Sequence, residues 1–192
     1  MQSEGFCHFF SSLSRFFKSF QSQTIAKNLL LQSKEIIIIF MKKSSRKKLL
    51  RPTSSMVKQA VFNILGDIEG MLFIDLFAGT GQMGFMAMER GAEVLFVEKS
   101  KKFAQAIKEK GGKVIISDVI RFLEHLEDKP DIIFADPPYD YENYQKLIDL
   151  ALKKLNNGGF FILEHRKSQN FGAERVKTYG DTALSIWRKE DD

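Results

Sequence analysis

The 192-residue chain has one cysteine, Cys7. That excludes an intramolecular disulfide and a multi-cysteine zinc site, and Cys7 reads as an inert residue of an N-terminal tail. The three histidines, His8, His125 and His165, stand far apart without ligand spacing, so no metal centre is expected. No apolar run reaches the roughly 18–20 residues that a membrane-spanning helix needs. The longest burst, Ile36 to Met41, is a third of that length and follows Lys34-Glu35, too far in for a secretory signal. These shortages predict a cytoplasmic chain without a membrane partner. Acids are also scarce at the start. Residues 1–50 hold nine Lys/Arg and two Asp/Glu, whereas the remainder holds twenty and twenty-two. The formal net charge of +5 therefore belongs to the first quarter of the chain.

What is present is a globular balance, 44% hydrophobic and 28% charged, at a length that suits one domain. Residues 1–40 stand apart, with seven of the eighteen phenylalanines and many serines. They could be a targeting presequence or a surface-binding helix. Met41-Lys42-Lys43 resembles an ordinary start, which favours a poorly ordered extension outside the natural protein. Residues 41–55 then read as a basic arm carrying Lys42, Lys43, Arg46, Lys47, Lys48 and Arg51. Such a run is either a solvated tail or an arm that neutralises RNA phosphates.

From residue 56 to 192 the pattern is that of one α/β domain. Apolar residues at 57, 60, 61, 64 and 65 predict a helix that ends at Gly66. Apolar strands are expected at 72–74, 94–97, 114–116, 132–135 and 160–163, with helices at 82–90, 100–110, 119–126 and 142–155 between them. Two more strands fit near 174–178 and 183–187. Short apolar strands alternating with helices imply a mostly parallel sheet covered on both faces.

Ligands of such sheets bind beyond the C-terminal strand ends. After the first strand, Gly79, Gly81 and Gly84 give G-x-G-x-x-G, a turn that allows close backbone approach to a ligand. Asp75, four residues earlier, is awkward beside a pyrophosphate and suitable near a cation. After the second strand, Glu98 can accept from ribose hydroxyls or pair with Lys99. After the third, Asp118 can meet an adenine amino group, cap the next helix, or both. After the fourth comes Asp136-Pro137-Pro138-Tyr139, the most specific signal in the chain. Two prolines cannot continue a central strand, and they leave rigid, outward-facing carbonyls. An acceptor pair beside an aromatic ring suits a planar base with an exocyclic amino group.

From Arg51 to about Arg188 these residues resemble the Rossmann-like class I S-adenosylmethionine-dependent methyltransferases. Within them the chain is most similar to the RsmD family, which methylates guanine N2 in small-subunit (16S) ribosomal RNA. Arg51-Pro52-Thr53 with Val61 to Leu65, and the late Tyr179-Gly180-Asp181-Thr182, narrow the likeness. The resemblance implies a seven-stranded sheet with its last strand antiparallel. It implies that Asp75, Ala78, Gly79, Thr80, Gly81, Glu98, Lys99, Asp118, Val119 and Asp136 bind S-adenosyl-L-methionine. Asp136, Pro137, Pro138 and Tyr139 would be the catalytic loop, and Lys42, Lys43, Lys47, Lys48 and Arg51 would contact RNA. The expected partner is ribosomal RNA within a small-subunit particle, met by a monomer. The connection after helix 100–110 is shorter than the family shows, and residues 42–50 replace its N-terminal hairpin only loosely.

Three rival readings remain at this level. A DNA adenine-N6 methyltransferase uses the same four-residue loop, although about 140 residues leave no room for a target-recognition domain. A nicotinamide-dependent oxidoreductase would use the glycines and leave the proline loop unexplained. A non-catalytic RNA-binding assembly factor would not need the acids Asp75, Glu98, Asp118 and Asp136.

Overall fold

The computed structural model describes residues 55–190. The extension at 1–40 and the arm at 41–55 lie outside the described residues, except for Ser55. That residue opens the first helix, α1 (Ser55–Leu65), rather than ending the arm. Next come β1 (Leu72–Leu76), α2 (Gln82–Met88), β2 (Glu93–Glu98), α3 (Lys101–Glu109), β3 (Lys113–Ile116), α4 (Val119–His125), β4 (Ile132–Ala135) and α5 (Tyr144–Lys154). The chain continues through β5 (Phe160–Arg166), β6 (Arg175–Tyr179) and β7 (Thr182–Arg188).

The strands form one seven-stranded sheet in the order β3-β2-β1-β4-β5-β7-β6. β1 to β5 pair in parallel, and β7 runs antiparallel to both its neighbours. The seven-stranded, mostly parallel α/β class predicted from the sequence is thus the observed one. Strand progression reverses between β1 and β4, which opens a crevice at their C-terminal ends.

Two apolar layers sandwich the sheet. One holds Val57, Val61 and Phe62 of α1 and Met83 and Ala87 of α2 against Phe73, Phe134 and Ile162. The other holds Val119, Phe122 and Leu123 of α4 and Leu147, Ile148 and Ala151 of α5 against Ile74, Ile133 and Leu163. Alternate residues of β1 and β4 serve opposite layers, which is why these strands are apolar apart from Asp75. Each fully buried Phe or Ile here contributes about 1.5–3 kcal/mol. Trp187 on β7 stacks on Phe161 of β5 with ring centroids 5.2 Å apart, tying the antiparallel strand to the parallel part.

One strand departs from the expected double burial. β3 lies at the sheet edge, and Ile115 and Ile116 are 39% and 45% exposed there.

Candidate active site at the C-terminal edge of the sheet

Three carboxylates gather at neighbouring strand ends. Asp75 sits in register with Phe96 of β2 and Phe134 of β4. It is only 2% exposed, and its carboxylate accepts from the Gly84 N–H at 2.9 Å. Burial pushes its pKa up to about 7; the Gly84 bond opposes this, while the charges of Asp136 and Glu98 add to it.

Glu98 closes β2 and links two loops. Its Oε2 accepts from the Gly79 N–H at 2.7 Å, and its Oε1 accepts from the Ser100 N–H at 2.6 Å. Each oxygen keeps a further lone pair for a ligand hydroxyl. Glu98 is therefore not the surface partner of Lys99. Lys99 Nζ instead lies 3.8 Å from Asp118 Oδ2, an exposed and weak pair. Asp118 Oδ1 caps α4, accepting from Ile120 N at 3.0 Å and Arg121 N at 3.4 Å. The capping role weighed from the sequence is thus real. Val119, expected at the cofactor, turns its side chain into the core and leaves only its backbone for a ligand.

The three glycines divide their work. A Cβ on Gly84 would fall 2.2 Å from the Phe96 ring, so this glycine lets α2 lie on β2. A Cβ on Gly81 would meet the Phe85 ring at 2.8 Å. Gly79 has φ +54°, and a Cβ there would meet nothing nearer than the Phe77 carbonyl at 3.8 Å. Of the three, Gly79 alone turns its Cβ direction towards open space. Ala78 N–H donates to the Val97 carbonyl at 3.1 Å, Gly81 N–H returns to the Ala78 carbonyl at 2.7 Å, and Thr80 is exposed.

Asp136 leaves β4 half-buried, close enough to raise the pKa of both Asp75 and Tyr144. Pro137 is buried and Pro138 exposed. One detail corrects the expectation of two outward-facing proline carbonyls: that of Pro138 accepts from Tyr141 N at 2.9 Å and closes a turn. This turn presents Tyr139, which is 53% exposed.

Several contributors carry no local sequence motif. The Arg166 guanidinium, at the end of β5, lies 4.5 Å from the Tyr139 ring centroid and covers one of its faces. Behind the loop runs an aromatic chain. Phe77 meets Tyr141 at 5.1 Å, Tyr141 meets Tyr144 at 5.3 Å, and Tyr144 stacks on Phe171 at 4.7 Å. Phe77 has φ +59°, rare for so large a side chain, and this sets its ring under the loop. Burial pushes the Tyr141 hydroxyl up to about 12, with the charge of Asp118 next in effect, so the ring stays neutral. His165 is buried, with Nε2 2.7 Å from Ser185 Oγ and Nδ1 2.8 Å from the Arg166 carbonyl. Burial lowers its pKa, and it locks β5 to β7 rather than serving a metal.

The structure thus brings Asp75, Gly79, Glu98 and Asp136 together at the ends of β1, β2 and β4, with Asp118 beyond β3 and Tyr139 above. Lys42, Lys43, Lys47, Lys48 and Arg51 lie outside the described residues. A carboxylate pushed towards neutrality by burial first, and by the charges of two further acids after it, suits a cationic ligand that would favour its ionised form. A doubly anchored Glu98 suits a ribose. The site fits S-adenosyl-L-methionine, which carries both a sulfonium and a ribose.

Comparison with known proteins agrees. The family model described as conserved hypothetical protein 95 matches residues 40–188. Ribosomal RNA small subunit methyltransferase D of Haemophilus influenzae is 32% identical, over 72% of this chain and 83% of its own. The chain belongs to the RsmD-like family of rRNA methyltransferases.

Solved structures repeat this fold. A hypothetical protein of Thermus thermophilus, TTHA0928, superposes with a TM-score of 0.66 at 25% identity, covering 73% of this chain and 89% of that one. The 16S rRNA N2 G1207 methyltransferase RsmC of Thermus thermophilus, solved with AdoMet and guanosine, gives a TM-score of 0.63 at 23% identity over 76% and 45%. That likeness establishes the class I methyltransferase fold of this RsmD-like chain.

Proposed function

We propose that this S-adenosyl-L-methionine-dependent rRNA methyltransferase modifies the exocyclic N2 of a guanine in small-subunit ribosomal RNA. The observation that carries the reading is the convergence of Asp136 and the exposed Tyr139 on the acid-lined crevice of Asp75 and Glu98. The H. influenzae relative, named for the small subunit, supports the choice of RNA.

In this reading Glu98 holds the ribose, Gly79 lets the backbone approach, Asp118 meets the adenine, and Asp75 compensates positive charge. The cofactor supplies a methyl group already activated on a sulfonium. The N2 lone pair of guanine is delocalised into the ring and is a poor nucleophile. Hydrogen bonds from the amino group to the Asp136 carboxylate and the Pro137 carbonyl localise density on nitrogen and fix its direction. Placement of this kind supplies much of the rate. Tyr139 stacks on the base with the face that Arg166 leaves open, which requires the base to be unstacked from its RNA neighbours. Asp136 then receives the proton that the alkylated nitrogen loses. Residues 41–54 act as a basic arm on the RNA, and residues 1–40 take no part; a family match beginning at residue 40 supports that division. A monomer acting in the cytoplasm on a partly assembled small-subunit particle completes the proposal.

Mapping modified nucleotides in small-subunit rRNA tests it. Cells with the intact chain should carry one guanine N2 methylation that is missing without it and missing with Asp136→Ala. The purified variant should still bind the cofactor. An unchanged guanine map removes the substrate assignment, and near-normal transfer by the variant removes Asp136 from the chemistry.

A further inference from the structure

Away from the crevice, a groove of about 450 Å³ runs between α1 and the edge strand β6. One wall is α1, where Met56, Ala60 and Ile64 give an apolar floor and Gln59 and Asn63 add two amides, while Val57 and Val61 of the same helix are buried in the core. The other wall is Arg175, Lys177 and Tyr179, alternate residues on one face of β6. No carboxylate lines the groove, while two cations do. Tyr179 offers a partly exposed ring, Met56 is 68% exposed, and Gln59 Nε2 donates to Asn63 Oδ1 at 3.3 Å on the open surface.

The groove also points at the site. Lys58 Nζ donates to Gln82 Oε1 at 2.5 Å, so the first turn of α1 stands beside the residue that opens α2, just past the glycine loop. At its other wall Tyr179 pairs with Thr182, and Thr182 pairs with Arg166. Two strand spacings, about 10 Å, separate β6 from β5 at that level. Arg166 in turn covers the Tyr139 ring.

We propose that this groove is a docking track for a single-stranded segment of the RNA substrate, flanking the base that enters the crevice. Two cations for phosphates, one ring for stacking and two adaptable amides form the combination that binds unpaired RNA. The absence of acids from the lining makes a polyanion the complementary occupant. The proposal rests on the reading of the chain as an rRNA methyltransferase and adds where the RNA lies.

The test uses the full chain with Arg175→Gln and Lys177→Gln together, and a small-subunit rRNA transcript, between about 50 and 200 mM salt. Affinity should fall about tenfold, and the log–log salt slope should become shallower by about 1.4, two contacts at about 0.7 each on a single strand. Cofactor affinity should not change. An unchanged RNA affinity and slope overturn the proposal. A photo-crosslinking amino acid in place of Met56 gives a second measurement. Its attachment to the RNA supports the track, whereas attachment to residues 41–54 or to a second copy of the chain overturns it. Charges on an edge strand also discourage sheet extension. A double variant that aggregates but keeps its RNA affinity assigns them that role instead. A wild-type chain that binds the transcript through the groove but methylates no guanine removes the proposed activity and leaves the track standing.

Discussion

At the scale of single residues, Asp75 joins burial to charge. Its pKa is raised from 3.8 to about 7 by burial first, so the folded chain holds this proton more tightly than the unfolded chain does. Without ligand, the Asp75 contribution to stability is fully present below about 4, is lost as pH rises towards about 7, and is absent above. A cation bound nearby has the opposite preference and favours the ionised carboxylate. Cofactor affinity should therefore rise as pH is raised through about 7 and then level off. Calorimetric titration on either side of that pH checks this, with Asp75→Asn as the control that removes the rise. A flat profile in the intact protein would show that Asp75 only anchors Gly84. Glu98 differs in kind, because two backbone donors hold it and its position is fixed before any ligand arrives.

At the scale of elements, the loop from β1 into α2 separates two glycines that pack from one that stands open. Gly84→Ala drives a methyl into the Phe96 ring and should cost about 3 kcal/mol, the upper range for overpacking. Gly79→Ala meets no such wall and should cost about 1 kcal/mol for its left-handed backbone, yet weaken cofactor binding more. Urea midpoints beside cofactor titrations distinguish the two; equal losses in both measurements would contradict the division. The glycines themselves are legible as a spacing, but which of them packs and which stands open is set by Phe96 and Phe85, and no local pattern names those. Strand β5 teaches the same lesson. Its apolar run stops at Leu163, whereas the strand continues to Arg166 because β7 pairs with it and Ser185 satisfies His165. Helix α5 starts at Tyr144 rather than at the predicted 142, after the Pro138–Tyr141 turn and the Asn143 cap. The places of Asp75, Glu98, Asp118 and Asp136 could be read in advance, since each stands at or just past the C-terminal end of an apolar run. Arg166 and Phe77 could not, because their roles exist only through Tyr139 and Tyr141.

At the scale of the whole molecule, basic charge is concentrated before residue 51, whereas residues 51–192 are slightly acidic, with twenty Lys/Arg against twenty-two Asp/Glu. Attraction to RNA is therefore local. Neutral replacements at Lys42, Lys43, Lys47 and Lys48 should weaken rRNA binding and flatten its salt dependence, as read in filter-binding titrations. An unchanged slope would make the arm a solvated tail. The strand order carries a different consequence, one of timing. β7 is the last strand made among the described residues, yet it lies inside the sheet between β5 and β6. A nascent chain halted before Thr182 thus leaves β5 with an open edge and β6 with no neighbour. Trp187, the single tryptophan, sits in that inserted strand against Phe161, so its fluorescence reports the moment of closure. An enzyme that acts on the ribosome's own RNA accordingly completes its sheet only after Arg188 has been made.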